Sequence, residues 1–370
     1  MRDRLVIAQI DLHAFRSNFI NIKKLVGENI KVMAIVKGNA YGHGLVRIAQ
    51  EAESLGADYL GVACLYEARR LRENGIKLPI LILGYTDRES LEDIVRLDIT
   101  PTIIDREGAK RLNELGKLER KIISMHIKVD TGMHRFGLSP SEALSFIESL
   151  KIYKNIFIEG VFTHFAESDA INSDLTLKQV EVFNKFIVDL ELTSDLPPCV
   201  HAANSAAILR FPQAYFSMVR AGKALYGPLL SKGVSASFIP KQIISLKTYI
   251  VQIRALVKGD SVGYNRTFIA KNDMKVAIIP VGYADGFRRA PRAYGEVLVN
   301  GQRCQIVGNV SMDQATIDVT NVTVGVGDEV ILIGQSGTDT ISVSDVAEKL
   351  GTNNYEVVTS LSERVEREYI

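Results

Sequence analysis

Over about the first 235 residues, short apolar β-type runs alternate with stretches of helical periodicity. No other feature constrains the fold as strongly. The runs fall at 31–37 (KVMAIVK), 59–63 (YLGVA), 79–84 (PILILG), 99–104 (ITPTII), 124–130 (SMHIKVD), 157–164 (FIEGVFTH), 199–205 (CVHAANS) and 216–222 (FSMVRAG). Between them lie amphipathic helices. Leu45, Ile48, Ala49, Ala52 and Leu55 recur at helical spacing, and Gly56 ends that helix. Ser139-Pro140-Ser141-Glu142 reads as a capping box with proline at the first helical position, ahead of Ala143, Phe146 and Ile147. Eight strand–helix units at this spacing predict an α/β fold of the (β/α)8 TIM-barrel type. No GxGxxG follows the first strand, which argues against an open dinucleotide-binding sheet.

The character changes near Ser231–Pro240 (SKGVSASFIP). Beyond it come β-branched runs such as LKTYIVQI, KVAIIPV, EVLVNGQRCQIVG, ATIDVT and DEVILIG, punctuated by Gly, Asp and Asn. Val299-Asn300-Gly301-Gln302 predicts a tight hairpin turn, and SVSDVAEKLG a short helix near the end. The expected division is a barrel over 8–235 and a mostly-β domain over 236–370 together with 1–7. Two domains suit a chain of 370 residues.

Composition excludes several function classes. A formal net charge of +1 predicts no nucleic-acid or polyanion partner. The apolar runs are strand-sized, short of the ~20 residues of a membrane helix, so no membrane partner is expected. The N-terminal MRDRLVIAQIDLHAF has charges on both sides of a very short apolar run and does not read as a signal peptide. Cys64, Cys199 and Cys304 are odd in number and widely spread, which argues against a disulfide framework and for a reducing cytoplasm. Neither these cysteines nor the six histidines show ligand spacing, so no protein metal site is expected.

Chemistry concentrates at Lys37, which closes the buried run in KVMAIVKGNAYGHG. A desolvated amine at a strand end has a lowered pKa and suits Schiff-base formation with an aldehyde. A structural ion-pair member would occupy the same place. Barrel active sites lie at the C-terminal strand ends, and Lys37, Lys128, His164, Asn204, Ser205 and Arg220 all fall there. Each has a bland reading: His164 as a satisfied core histidine, Asn204 and Ser205 as helix caps, Arg220 as half of an ion pair.

KGNAYGHG (37–44), KVDTGMHRFG (128–137), THFAESD (163–169), HAANSAA (201–207), RAGKALYG (220–227), VGYNRTF (262–268), PVGYADGFRR (280–289) and GNVSMDQ (308–314) resemble, in order, the motifs of the alanine racemase family. The resemblance runs from IDLHAFRSN to NYEVVTSLSERV. It implies pyridoxal 5'-phosphate as cofactor, joined to Lys37 as a Schiff base, and a homodimer with shared active sites that interconverts L- and D-alanine. Lys37 is then one acid–base group and Tyr264 of the partner subunit the other. Tyr41, Ser205 and the backbone of Gly222 and Lys223 hold the phosphate, with Asn204 on the same rim. Arg220 faces the pyridine nitrogen with His164 behind it. Arg135 binds the substrate carboxylate. Lys128 matches a lysine often carbamylated in the family; a plain lysine paired with an acid is the other reading. Met312 and Asp313 match the segment that closes the pocket from the partner subunit.

Two departures bear on substrate choice. Lys223 stands where the family usually has an apolar residue, and Glu363 where many relatives carry tyrosine. Glu363 either lines the entrance or faces solvent. Serine or broader amino-acid racemisation is the nearest alternative. A barrel-type decarboxylase is opposed by Arg220 at the ring nitrogen, where an acid would make a stronger electron sink. A non-catalytic barrel that only binds the cofactor would lack the β domain.

Overall fold

The computed structural model describes residues 4–227 and 235–370. The chain forms two compact units, one of Phe15–Ala40 with Leu45–Lys241 and the other of Met1–Ala14, Tyr41–Gly44 and Gln242–Ile370. The composition change expected near Ser231–Pro240 lies partly outside the described residues, at 231–234.

In the first unit the strands are β1 (Lys31–Ile35), β2 (Tyr59–Val62), β3 (Ile80–Ile82), β4 (Ile123–Lys128), β5 (Ile156–Phe162), β6 (Cys199–His201) and β7 (Met218–Ala221). Parallel ladders join β3, β2, β1 and β7 in that order, and β4, β5 and β6 in a second set. Every residue of β2, β3 and β7 is buried, as apolar runs covered on both faces must be.

The predicted strand 99–104 is reduced to two bridges, Leu81 with Thr100 and Thr102 with His126. Pro101 lies between them and has no N–H to give a ladder, which explains the reduction. Its carbonyl still accepts the His126 N–H at 2.9 Å, so this segment stitches the two sheets together. On the other side Ser217 N–H donates to Val200 O at 3.1 Å and Arg220 N–H to Ala203 O at 2.9 Å. The eight segments therefore close into a parallel barrel.

The helices follow the sequence signals. Leu45–Ser54 buries Leu45, Ile48, Ala49 and Ala52, and Gly56 leaves it at φ 78°. Pro140–Leu150 opens on the Ser139–Glu142 capping box and buries Ala143, Phe146 and Ile147. The run predicted at 199–205 leaves the ladder after His201, because Asn204 caps the helix Ser205–Arg210 instead.

The second unit is mostly β. Its main sheet runs Gln302–Gln305, Glu296–Val299, Glu329–Ser336, Ile244–Tyr249, Ile7–Ile10, Glu366–Tyr369, all antiparallel except the last pair. Val299 pairs with Gln302 across the predicted turn, with Asn300 and Gly301 at φ 48° and 77°, as a type I′ turn requires. Gln252–Leu256, Met274–Ile279 and Ala315–Asp318 form a smaller antiparallel sheet. The predicted helix covers Val343–Leu350, and Asn354–Thr359 adds one that the periodicity did not suggest. Among the described residues no helix is long and apolar enough to cross a membrane.

Candidate active site

Lys37 stands just past the end of β1, half-buried. The backbone then turns left-handed, with Gly38, Asn39 and Ala40 at φ 63°, 54° and 52°. Such a conformation costs an L-residue about 1–2 kcal/mol, so something must hold it. Glu67, buried at the start of the helix Leu65–Glu73, does so. One carboxylate oxygen accepts the Gly38 N–H at 2.6 Å and the Asn39 N–H at 3.4 Å, and the other accepts the Ala63 N–H at 2.8 Å. Asn39 Oδ1 accepts the Leu45 N–H at 2.8 Å. Burial lowers the Lys37 pKa and the Arg135 cation lowers it further; Glu67 opposes them, and Arg220 adds to the fall. The amine is thus biased toward its neutral, nucleophilic form.

Arg220 projects from β7 and is 4% exposed. Its Nη atoms donate to the carbonyls of Thr163 (2.8 Å), Ala202 (2.9 Å) and His201 (3.1 Å), to His201 Nδ1 (3.0 Å) and to His164 Nδ1 (3.1 Å). Guanidinium only donates, so both Nδ1 atoms are acceptors and the His164 proton sits on Nε2. Among the described residues Arg220 has no carboxylate at ion-pair distance, and its Nε–H has no partner. Burial pulls it down to about 9, so it remains a cation at neutral pH. Burial, and then the Arg220 charge, hold His164 well below the ordinary imidazole range, hence neutral.

Ser205 Oγ accepts the N–H groups of Gly222 (2.8 Å) and Ala224 (3.1 Å). The Gly222 N–H, read from sequence as a phosphate donor, is engaged inside the protein. Neither of these bonds uses the Ser205 hydroxyl proton. Asn204 Oδ1 accepts the Ala207 N–H at 3.1 Å and the Ser168 hydroxyl at 2.8 Å, so it is a helix cap. Lys223 is half-buried; burial pulls it to about 8, with Asp169 opposing.

Lys128 ends β4, is 6% exposed, and has no carboxylate at ion-pair distance. The acid partner that a plain lysine would need is therefore missing among the described residues. Its ammonium instead lies 5.1 Å and 5.7 Å from the ring centroids of Phe136 and Phe162. Burial, then Arg135 and Arg220, lower it to about 8, and Asp130 opposes. Arg135 is exposed and makes no hydrogen bond or ion pair with the described residues, leaving its fork free. Asp130 ties down the loop before it, accepting the N–H groups of Gly132, Met133 and His134.

The remaining candidates belong to the second unit. The Tyr41 ring packs 5.7 Å from that of Tyr355. Tyr264 opens a single turn, Tyr264–Arg266, and is 67% exposed. Asn309 donates to its carbonyl at 3.3 Å. Met312 is 53% exposed, while its carbonyl accepts the Ala284 N–H at 3.1 Å. Asp313 pairs with Arg364, which also bonds the buried Asp285 at 2.7 Å. Glu363 is exposed, and Arg367 feels its charge.

Sequence reasoning missed Glu67 and His201, both bonded to the site. His201 lay within the quoted HAANSAA motif, whereas nothing local marked Glu67 in LYEARRLRE.

Residues 10–229 match the sequence model for the alanine racemase N-terminal domain and residues 243–369 that for the C-terminal domain. A protein from Halothermothrix orenii named alanine racemase is 41% identical over 98% of this chain and 96% of its own length. The structure of the alanine racemase of Clostridium difficile 630 superposes with TM-score 0.94 at 37% identity, covering 100% of this chain and 97% of that one. A Bacillus anthracis alanine racemase with bound L-Ala-P gives TM-score 0.94 at 37% identity, with 100% and 96% covered.

Proposed function

This chain belongs to the alanine racemase family and is an isomerase interconverting L- and D-alanine, and we propose that Lys37 and Tyr264 are its two acid–base residues. Serine, a broader amino-acid range, decarboxylation and mere cofactor binding are each disfavoured by the full-length likeness to proteins named alanine racemase.

The family depends on pyridoxal 5'-phosphate. The residues present suit a group with an aldehyde, a basic ring nitrogen and a phosphate. Lys37 offers an amine biased toward neutrality, Ser205 a hydroxyl whose proton those bonds do not use, and Arg220 an Nε–H with no partner among the described residues. The observation that carries the reading is Arg220, a buried cation whose other donors are all taken while Nε–H is left to give. When bound, pyridoxal phosphate withdraws electrons from the substrate Cα and acidifies its α-hydrogen.

Racemisation requires proton removal on one face of Cα and return on the other, so two groups on opposite faces are needed. In our reading Lys37 serves one face and Tyr264 of the partner subunit the other. Arg135 grips the substrate carboxylate in its free fork. His164, held neutral, supports Arg220 without adding a second charge. Arg220, a cation that can only donate, would hold the cofactor's ring nitrogen by its Nε–H and disfavour its protonation, which would limit electron withdrawal and disfavour side reactions. Tyr41 and Lys223 complete the phosphate site with Ser205 and the Gly222 segment, and Asn204 caps the helix that Ser205 opens. Lys128 with no acid partner suits carbamylation, which needs a neutral amine and yields an anion able to orient Arg135. Met312 and Asp313 close the pocket from the partner subunit. The same reading makes the enzyme a cytoplasmic homodimer supplying D-alanine for biosynthesis.

The test is an amino-acid panel followed by polarimetry with each L- and D-substrate. Alanine should exceed all others; loss of rotation faster with another amino acid would overturn the substrate assignment.

A further inference from the structure

Arg220 is the head of a buried row of polar groups that runs down the barrel. Because its Nη1 donates to His201 Nδ1 at 3.0 Å, the His201 proton must sit on Nε2. That nitrogen lies 3.0 Å from His126 Nδ1, which must then accept, leaving the His126 proton on its own Nε2. His126 Nε2 faces Glu159 Oε2 at 3.6 Å, longer than a made hydrogen bond. Both atoms are buried and neither has another partner among the described residues. The second Glu159 oxygen accepts the Tyr59 hydroxyl at 2.8 Å.

The backbone is shaped for this row. The β4–β5 ladder slips between Met125 and His126, so Met125 pairs with Ile158, His126 with Gly160, and Glu159 is the extra residue. Such a bulge re-aims a side chain. A Cβ at Gly160 would strike the His126 ring and the Cys199 carbonyl, so only glycine lets the imidazole pass. Phe162 stacks on His201 at 4.8 Å and 9°, fixing its plane.

We propose that His126 and Glu159 are positioning residues for Arg220. The aligned donors Arg220, His201 and His126, directed toward the Glu159 carboxylate, fix the guanidinium's rotation, so that Nε–H is the donor left free, and set that carboxylate against its charge. The proposal rests on the reading that Arg220 serves the reacting centre. Both histidines are fully buried, and burial holds each below the ordinary imidazole range. The row is therefore a neutral link between a cation and an anion. The nearby His126 Nε2–H and the bond from the Tyr59 hydroxyl hold the Glu159 carboxyl below its ordinary range against the opposing effect of burial, so it stays ionised.

The test combines side-chain ¹⁵N NMR with kinetics on the holoenzyme. The wild-type spectrum should show His201 and His126 both as Nε2–H tautomers. His126→Phe keeps the ring volume but cuts the row; kcat for alanine should fall about ten-fold with KM little changed, the size typical of losing a supporting contact one shell out. His126→Gln, able to accept from His201 and donate to Glu159, should restore most of that loss. Glu159→Gln, nearly the same size and still able to accept from the Tyr59 hydroxyl, should shift the His126 resonances and lower kcat by a smaller factor. A wild-type Nδ1–H tautomer at His201 would overturn the proposal. So would equal activity of His126→Phe and His126→Gln, or unchanged kcat in Glu159→Gln. Arg220→Lys separates the two readings: full activity there removes Arg220 from the reacting centre, whatever the tautomers are.

Discussion

Glu67 accepts the Gly38 N–H at 2.6 Å, one residue past Lys37, and so clamps the left-handed turn that presents the lysine. A carboxylate is used twice there. It satisfies three backbone donors, and its charge tempers the fall in the Lys37 pKa.

Glu67→Gln should therefore act on both stability and reactivity. An amide can present only one oxygen to those donors, so the fold should lose roughly 2–4 kcal/mol, read from the urea midpoint. The Lys37 pKa should fall further, because an anion that raises it is gone. Peptide mass spectrometry of Lys37 acylation against pH should show the midpoint moving down; an upward move would contradict the clamp's electrostatic role.

Lys37→Ala should abolish racemisation while circular dichroism stays native. Borohydride treatment of the wild type with pyridoxal phosphate should leave a stable mass increase on the peptide that contains Lys37. The mutant should show none. Turnover surviving in the mutant would move the acid–base role elsewhere.

Tyr264→Phe should slow both directions but affect the two enantiomers' α-hydrogen exchange unequally, because only one of them needs Tyr264 for the initial abstraction. Exchange into deuterium oxide, followed by NMR for each enantiomer, decides it. Equal losses would argue for a single base.

Lys128 is costly as a plain ammonium. Its pKa is lowered from 10.5 to about 8. Between those values the folded protein binds fewer protons than the unfolded chain, so stability rises with pH through that window and the cost is full below it. In bicarbonate-free buffer at pH 7, Lys128→Met should stabilise the fold by roughly 1–3 kcal/mol, the gain shrinking as pH climbs toward 10.5. Urea melts across pH test this. In bicarbonate, native mass spectrometry should show one added CO2 on the wild type and none on Lys128→Met, and that mutant should lose activity. A mutant less stable than wild type without bicarbonate would mean the lysine is not a buried cost.

Much of this protein was legible along the chain. Alternating β-type runs and helical spacing set the barrel, because both periodicities are local and each burial face is written in consecutive residues. The cap at Ser139–Glu142 and the turn at Asn300-Gly301 were likewise local chemistry. Lys37 stood out because an apolar run ended on a charge. The missed features were those joining distant segments. Pro101 thinned a predicted strand to two bridges, since ladder donors matter only once the neighbours are known. The Gly222 N–H was engaged by Ser205, and Lys128 had no carboxylate at ion-pair distance among the described residues. Glu67 reached Gly38 only because β1 and β2 are neighbours in the barrel. Arg220, His201, His126 and Glu159 form a row only because barrel closure stacks β7, β6, β4 and β5 around one interior. The sequence by itself determined most of the elements and which side chains have reactive chemistry. Tertiary structure alone decided which donor meets which acceptor, since hydrogen bonds act over about 3 Å and closing the barrel is what brings those atoms within that distance.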